Sequence, residues 1–291
     1  MSIFSYPFMQ RALLAALLSG LVAPAVGMFI AQRRLSLLGD GLGHVAIMGV
    51  GLALLMGTAP LPLAVLTCVA GSVTVKLLRQ CGNASGDLAL AVLFYGGIAS
   101  GVMMAGLAGQ GPAGLSVYLF GVGALTSVSE PDLWVIAFLA AVILWFALGL
   151  HPWLFAICAD EDFARVLGIR VKILNLLIVV VASVTITLSM RTVGLLLISA
   201  LMVIPVSTSQ QLFTGFRTTL LGAMGLGVVA ALGGTVGSYF WDTASGATIV
   251  VSAIALLGIA TTRAPLLQRW RRNSLVPVAD RETTHYSGPT R

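Results

Sequence analysis

The sequence predicts an all-α polytopic membrane protein, on three observations. Of its 291 residues 58% are hydrophobic and 9% charged, with a mean hydropathy of +1.02, whereas a soluble domain carries about 25% charged residues. Apolar runs of the length needed to cross a hydrocarbon core, about 20 residues, recur between charges and Pro/Gly clusters. Lys and Arg fall almost entirely on one side of the resulting topology. So few charges cannot solvate a globule of this size. The composition thus excludes a soluble enzyme, a disordered chain, a coiled coil, a disulfide scaffold and a nucleic-acid module.

The uncharged stretch 12–32 is the first span. Residues 41–75 are too many for one helix and break at Thr58-Ala59-Pro60-Leu61-Pro62, giving spans at about 42–56 and 61–79. No charge occurs between Asp87 and Glu130, which accommodates a span at about 88–108, a turn at Gly109-Gln110-Gly111-Pro112 and an apolar remnant at 115–126. The remnant is too short to cross and reads as re-entrant or interfacial. Spans follow at about 131–150, 173–190, 192–213, 218–238 and 245–262. The count is nine, with eight as the alternative, and residues 1–262 form one transmembrane domain. The polar tail 263–291, with Asp280, Glu282, Pro277 and Pro289, reads as disordered and cytosolic.

With the N-terminus outside, Arg33, Arg34, Lys76, Arg79, Arg165, Arg170, Lys172, Arg217 and the tail arginines are cytosolic, and Arg11 and Arg191 lie outside. That asymmetry explains the net charge of +6 without a nucleic-acid partner. The N-terminal run continues to Ile30 without a small-x-small cleavage site, so it reads as a retained span. Cys68, Cys81 and Cys158 are odd in number and unpaired in spacing, which implies no disulfide framework. Gly97/Gly101 and Gly233/Gly237 stand four apart, a spacing that lets helices approach closely, here within one chain.

Three groups of side chains carry chemistry. Asp40 and His44 are four apart in Gly39-Asp40-Gly41-Leu42-Gly43-His44, so on a helix they share a face. Carboxylate plus imidazole is half of a divalent transition-metal site. The same residues are also compatible with an Asp N-cap followed by a histidine tucked among helices. His44 is the only histidine within an apolar run, and ionisable groups in a membrane are expensive. Asp242, beside Trp241, reads as a turn between the last two spans or as an outer-face contact for a donor protein or cation.

The third group is cytosolic. Asp160-Glu161-Asp162, then Phe163, Val166 and Leu167, with Gly168 as a stop, describe a short amphipathic helix with an acidic start. Its apolar face suits a partner's groove or the membrane surface. No catalytic constellation accompanies these groups. Lys76 and Lys172 each follow Val, so no phosphate-loop Gly-Lys-Ser/Thr exists, and neither Gly-x-Ser-x-Gly nor His-Glu-x-x-His occurs. The chain does not read as an enzyme, and a channel, a secondary transporter or an ATP-driven permease subunit remains.

The run Arg33-Arg34-Leu35-Ser36-Leu37-Leu38-Gly39-Asp40-Gly41-Leu42-Gly43-His44-Val45-Ala46 resembles the signature of the membrane permease subunits of bacterial ATP-binding-cassette importers for zinc, manganese and iron(II). The resemblance continues through Tyr118-Leu119-Phe120-Gly121, Asp160–Lys172 and Val193-Gly194-Leu195-Leu196-Leu197-Ile198-Ser199-Ala200-Leu201-Met202-Val203-Ile204-Pro205. It ends near Phe240-Trp241-Asp242-Thr243-Ala244-Ser245-Gly246, and covers most of residues 10–262 in order.

The resemblance implies a multi-pass permease of the bacterial inner membrane that forms a homodimer. It receives metal from an extracytoplasmic metal-binding protein and is driven by a cytosolic ATPase dimer. It holds no permanent cofactor, and its lipid-facing surface contacts membrane. The resemblance makes Asp40 and His44 the metal-coordinating pair and maps the ATPase-docking helix to about 160–170. Two departures bear on the metal: Val122-Gly123-Ala124 follows the Tyr-Leu-Phe-Gly run, where relatives often carry a polar residue. Phe94-Tyr95-Gly96 stands where zinc-type members can carry a histidine. The topology puts Asp40 near the cytosolic end of its span, and a dip of Leu35–Gly39 into the membrane before the helix starts would place it deeper. The alternatives are a permease for a siderophore or vitamin, which predicts no role for Asp40 and His44, and a stand-alone secondary transporter, which predicts acids buried in several spans. An intramembrane enzyme ranks last.

Overall fold

The computed structural model describes residues 6–33, 36–80, 86–121 and 130–274. They form twelve helices and, among the described residues, no strand: α1 (Pro7–Gln32), α2 (Ser36–Met56), α3 (Pro60–Gln80), α4 (Gly86–Leu107), α5 (Gly111–Phe120), α6 (Glu130–Gly149), α7 (His151–Ala159), α8 (Glu161–Val166), α9 (Val171–Val193), α10 (Leu195–Leu212), α11 (Phe216–Trp241) and α12 (Ser245–Ser274). In lipid every backbone polar group must be satisfied within the segment, which an α-helix does.

Five helical segments are long and apolar enough to cross a membrane: Pro7–Gln32, Gly39–Met56, Val171–Met190, Phe216–Trp241 and Ser245–Arg263. A sixth arises if Leu133–Gly149 and His151–Ala159, bent by 63° at Leu150, count as one span. The other segments expected to cross fall on shorter apolar helices, Pro60–Thr74, Ala91–Leu107 and Leu197–Leu212. The chain is therefore an all-helical, multi-pass membrane protein. Trp134, Phe138 and Trp145 on α6 are strongly exposed, as suits a surface facing lipid or another chain rather than water.

Turns fall where backbone chemistry requires them. Pro60 starts α3 after the bend at Gly57, Gly109 adopts φ +72° between α4 and α5, and Gly121 closes α5 at φ +66°. At ten residues α5 spans about 15 Å, half a bilayer core. The rest of the expected remnant, from Val122 on, lies outside the described residues, as do Arg34, Leu35 and Cys81.

Two expectations need correction, and one helix has no counterpart among them. Residues Ser36–Gly39 are already helical, so no irregular stretch there precedes α2, and Asp40 is its fifth residue and not its N-cap. The span ending near 150 is followed by α7, in which Pro152 occupies the first turn and starts a new helix. Finally, α12 runs on to Ser274, so residues 263–274 are helical where a disordered tail is expected; 275–291 lie outside the described residues.

The core lies where α2 packs on α4 and α3, and where α1 packs on α11, α10, α9 and α6. Close packing of α2 and α4 depends on missing side chains. A Cβ at Gly97 would come within 2.7 Å of the His44 carbonyl, and one at Gly101 within 2.6 Å of Ile47 Cγ2. The Gly97/Gly101 pair is thus a contact within the chain.

Candidate metal centre

Asp40 and His44 lie one turn apart near the start of α2, about 6 Å along its axis. His44 is only 4% exposed and Asp40 is half-buried. The imidazole rests on Phe94 of α4, ring centroids 3.8 Å apart and tilted by 56°. Behind it the Gly97 backbone abuts the His44 carbonyl, so the ring is fixed by one aromatic neighbour and one close helix crossing. On the adjoining side, α10 approaches: Ser199 lies against Gly39, and Leu195 against Gly43.

His44 Nδ1 is buried and has no hydrogen-bond partner among the described residues. An unpartnered buried polar atom costs about 1–3 kcal/mol, and a nitrogen beside a carboxylate one turn away is suited to binding a cation. Among the described residues no group of three or more His, Cys, Asp or Glu converges on this or any point. Among the described residues the candidate site therefore has two potential donors, fewer than the four of a tetrahedral site or the six of an octahedral one. Cys68 of α3 does not join them. It is buried, donates to the Leu42 carbonyl at 3.2 Å and has the hydroxyls of Ser183 and Thr187 beside it.

The residues expected to form the ATPase-docking helix are brought together on α8 and its flanks. Asp160 caps α8, its Oδ1 accepting from the N–H groups of Asp162 and Phe163 at 2.9 and 3.1 Å. Gly168 closes the turn at φ +77°, a conformation that favours glycine. Ala164 is buried while Phe163, Val166 and Leu167 are 58, 85 and 57% exposed, so an apolar surface is left uncovered. Glu161 is turned differently, toward Arg165 at 2.7 Å and Arg33 at 3.3 Å. Asp242 is the exposed C-cap of α11 in the left-handed region, φ 50°, and shares no three-ligand group with Asp40 and His44.

Sequence reasoning noted Phe94 only as a departure and missed its contact with His44. The signal was partial, since the Gly97/Gly101 spacing marks a close crossing but does not name the partner helix. The Arg33–Glu161 pair, 128 positions apart, had no sequence signal.

Known proteins share this architecture across nearly its whole length. The chain is 29% identical over 273 residues to the manganese transport system membrane protein MntC of Halalkalibacterium halodurans, covering 92% of this chain and 93% of that one. It is 28% identical over 247 residues to the high-affinity zinc uptake system membrane protein ZnuB of Haemophilus influenzae, covering 84% and 93%. Among solved structures it is similar to PsaBC from Streptococcus pneumoniae in complex with Fab, with a TM-score of 0.83 and 26% identity over 93% of this chain and 96% of that one. The family described as ABC 3 transport family matches residues 5–264, and the chain belongs to it.

Proposed function

We propose that the chain is the membrane-spanning permease subunit of an ATP-driven importer of divalent transition-metal ions. The observation that carries this is Asp40 beside a buried His44 whose Nδ1 has no partner among the described residues, in a helical bundle of a transport family. Two donors make half a site. A second copy of the chain, apposed across the same face, would supply two more and give a carboxylate/imidazole set for one ion. That chemistry accepts manganese, iron(II) and zinc and on affinity alone favours zinc over the other two. Relatives of nearly equal identity are named for manganese and for zinc, so overall identity does not choose the ion.

The same reading orders the chain in the membrane. Arg11 near the start of α1 pairs with Glu130 at the start of α6, and Arg33 at the end of α1 reaches Ile157 and Glu161 beyond α6. The two helices thus run in the same sense. With α2, α3 and α4 crossing between them, α5 turns back, which supports nine crossings; the excess of Lys and Arg on one side then supports the N-terminus outside and the C-terminus in the cytosol. Asp160–Gly168 then faces the cytosol, where its apolar surface docks the ATPase. Asp242 faces outward, toward the protein that delivers metal.

The test is uptake of zinc, manganese and iron(II) into proteoliposomes holding the permease with its ATPase and metal-binding protein, wild type beside His44→Ala. ATP-dependent uptake of a metal that the variant abolishes is the expected result. A well-assembled complex that moves no metal would favour a siderophore or vitamin cargo.

A further inference from the structure

The end of α1 and the start of α8 are joined by one side chain. Arg33, the C-cap of α1, is only 15% exposed at its side chain, and its Nη2 donates to the Ile157 carbonyl at 3.4 Å and to Glu161 Oε2 at 3.3 Å. Among the described residues, this is the one ion pair tying α8 to a distant part of the chain. The other two made by α8 are internal, Arg165 to Glu161 and to Asp162. A second contact lies at the same place, with Cys158 Sγ directed at the Phe29 carbonyl one turn before Arg33. Beyond Arg33 the chain enters α2 at Ser36, and Asp40 is its fifth residue. Asp40 is therefore only seven positions along the chain from Arg33, which contacts the docking helix.

We infer that Arg33 is a positioning residue, through which a push on α8 by the ATPase reaches α2 and its metal donors. The geometry suits that role. Glu161 is shared between Arg165 on its own helix and Arg33 on another, so α8 is held at its first residue while its apolar surface stays free. The partial burial of Arg33 shields the pair from the screening that weakens an exposed one. The inference rests on the proposed ATP-driven function and adds to it the route by which force reaches the site.

The experiment reconstitutes the full complex and measures metal imported per ATP hydrolysed. Arg33→Gln is expected to insert, assemble and hydrolyse ATP within about twofold of wild type while importing roughly tenfold less metal per ATP, a loss within the usual range of coupling energies. Glu161→Gln is expected to lower the same ratio, and Arg33→Glu combined with Glu161→Arg to restore it to within about threefold of wild type. Arg33→Lys, which keeps the charge but not the forked donor, is expected to fall between. A wild-type ratio in Arg33→Gln or Arg33→Lys overturns the inference alone, and so does a combined variant no better than either single one. Loss of ATPase association in proportion to uptake overturns it as well, by making the pair a docking contact. A wild-type complex without ATP-dependent metal uptake overturns the proposed function beneath it.

Discussion

The rings of His44 and Phe94 meet at a tilt across the α2–α4 crossing with centroids 3.8 Å apart, so the imidazole of the candidate site is positioned by a residue that cannot bind metal. Phe94 lies against one side of the His44 ring. Its apolar ring restricts the imidazole without accepting a hydrogen bond from it, which leaves Nδ1 free for another partner.

Replacing Phe94 therefore has two separable outcomes. Phe94→Ala frees the imidazole and is expected to raise the KM for metal about tenfold with little change in kcat, since loss of a group that orients a ligand costs about 10–100-fold in affinity. Phe94→His adds a nitrogen and is expected to shift preference toward zinc, because imidazole suits zinc better than manganese. Uptake of each metal with the other as competitor reads both effects. An unchanged zinc-to-manganese ratio in Phe94→His would remove Phe94 from the determinants of selectivity.

The crossing itself gives a stability prediction. A Cβ at Gly97 would press on the His44 carbonyl, while one at Gly96 meets nothing within 4 Å. Gly97→Ala is expected to lower stability by about 1–3 kcal/mol through overpacking and to impair uptake by moving α4 from α2. Gly96→Ala is expected to stay within about 0.5 kcal/mol of wild type, as changes away from packed features do. Thermal unfolding of the purified complex checks both, and equal losses would place the tolerance elsewhere.

How far the sequence carried depends on the kind of signal. Helix positions were legible because charges, Thr58–Pro62 and Gly109–Pro112 interrupt apolar runs at the spacing a bilayer imposes. The cap, exposed apolar residues and glycine stop of α8 were legible because all of them act within nine residues. Hydropathy ended the last span at Arg263, yet α12 continues, since a helix outside lipid does not need apolar side chains. Residues 151–158 carried no expectation, yet Pro152 starts a helix there, proline being well placed in a first turn. Gly39-Asp40-Gly41 has the composition of a turn, yet α2 runs straight through it. The His44–Phe94 and Arg33–Glu161 contacts were not legible, because each depends on how separate helices pack.

Asp40 can be tested without disturbing that packing, and His44 at the loss of its ring contact with Phe94. Asp40→Asn keeps the side-chain volume and removes the charge, and His44→Ala removes the nitrogen. Each is expected to reduce metal uptake to background, while the complex assembles and binds its ATPase as wild type does. Direct metal binding to the purified complex, measured calorimetrically, separates a lost site from a blocked transport step. Normal uptake in both variants would make the pair structural.

The exposed surface of α8 predicts where the ATPase attaches. Phe163, Val166 and Leu167 present apolar area while Ala164 faces the chain, so a charge on the outer surface should harm docking without touching the fold. Phe163→Asp is expected to reduce co-purified ATPase by more than about tenfold, the scale of losing a buried aromatic anchor at an interface, with membrane insertion intact. The capping carboxylate behaves differently. Asp160→Ala removes the acceptor for the Asp162 and Phe163 N–H groups and should cost about 1 kcal/mol of local helix stability, giving weaker but not abolished docking. Docking undiminished by Phe163→Asp would show that the ATPase grips another cytosolic segment and leave α8 as a bridge lying on the membrane surface.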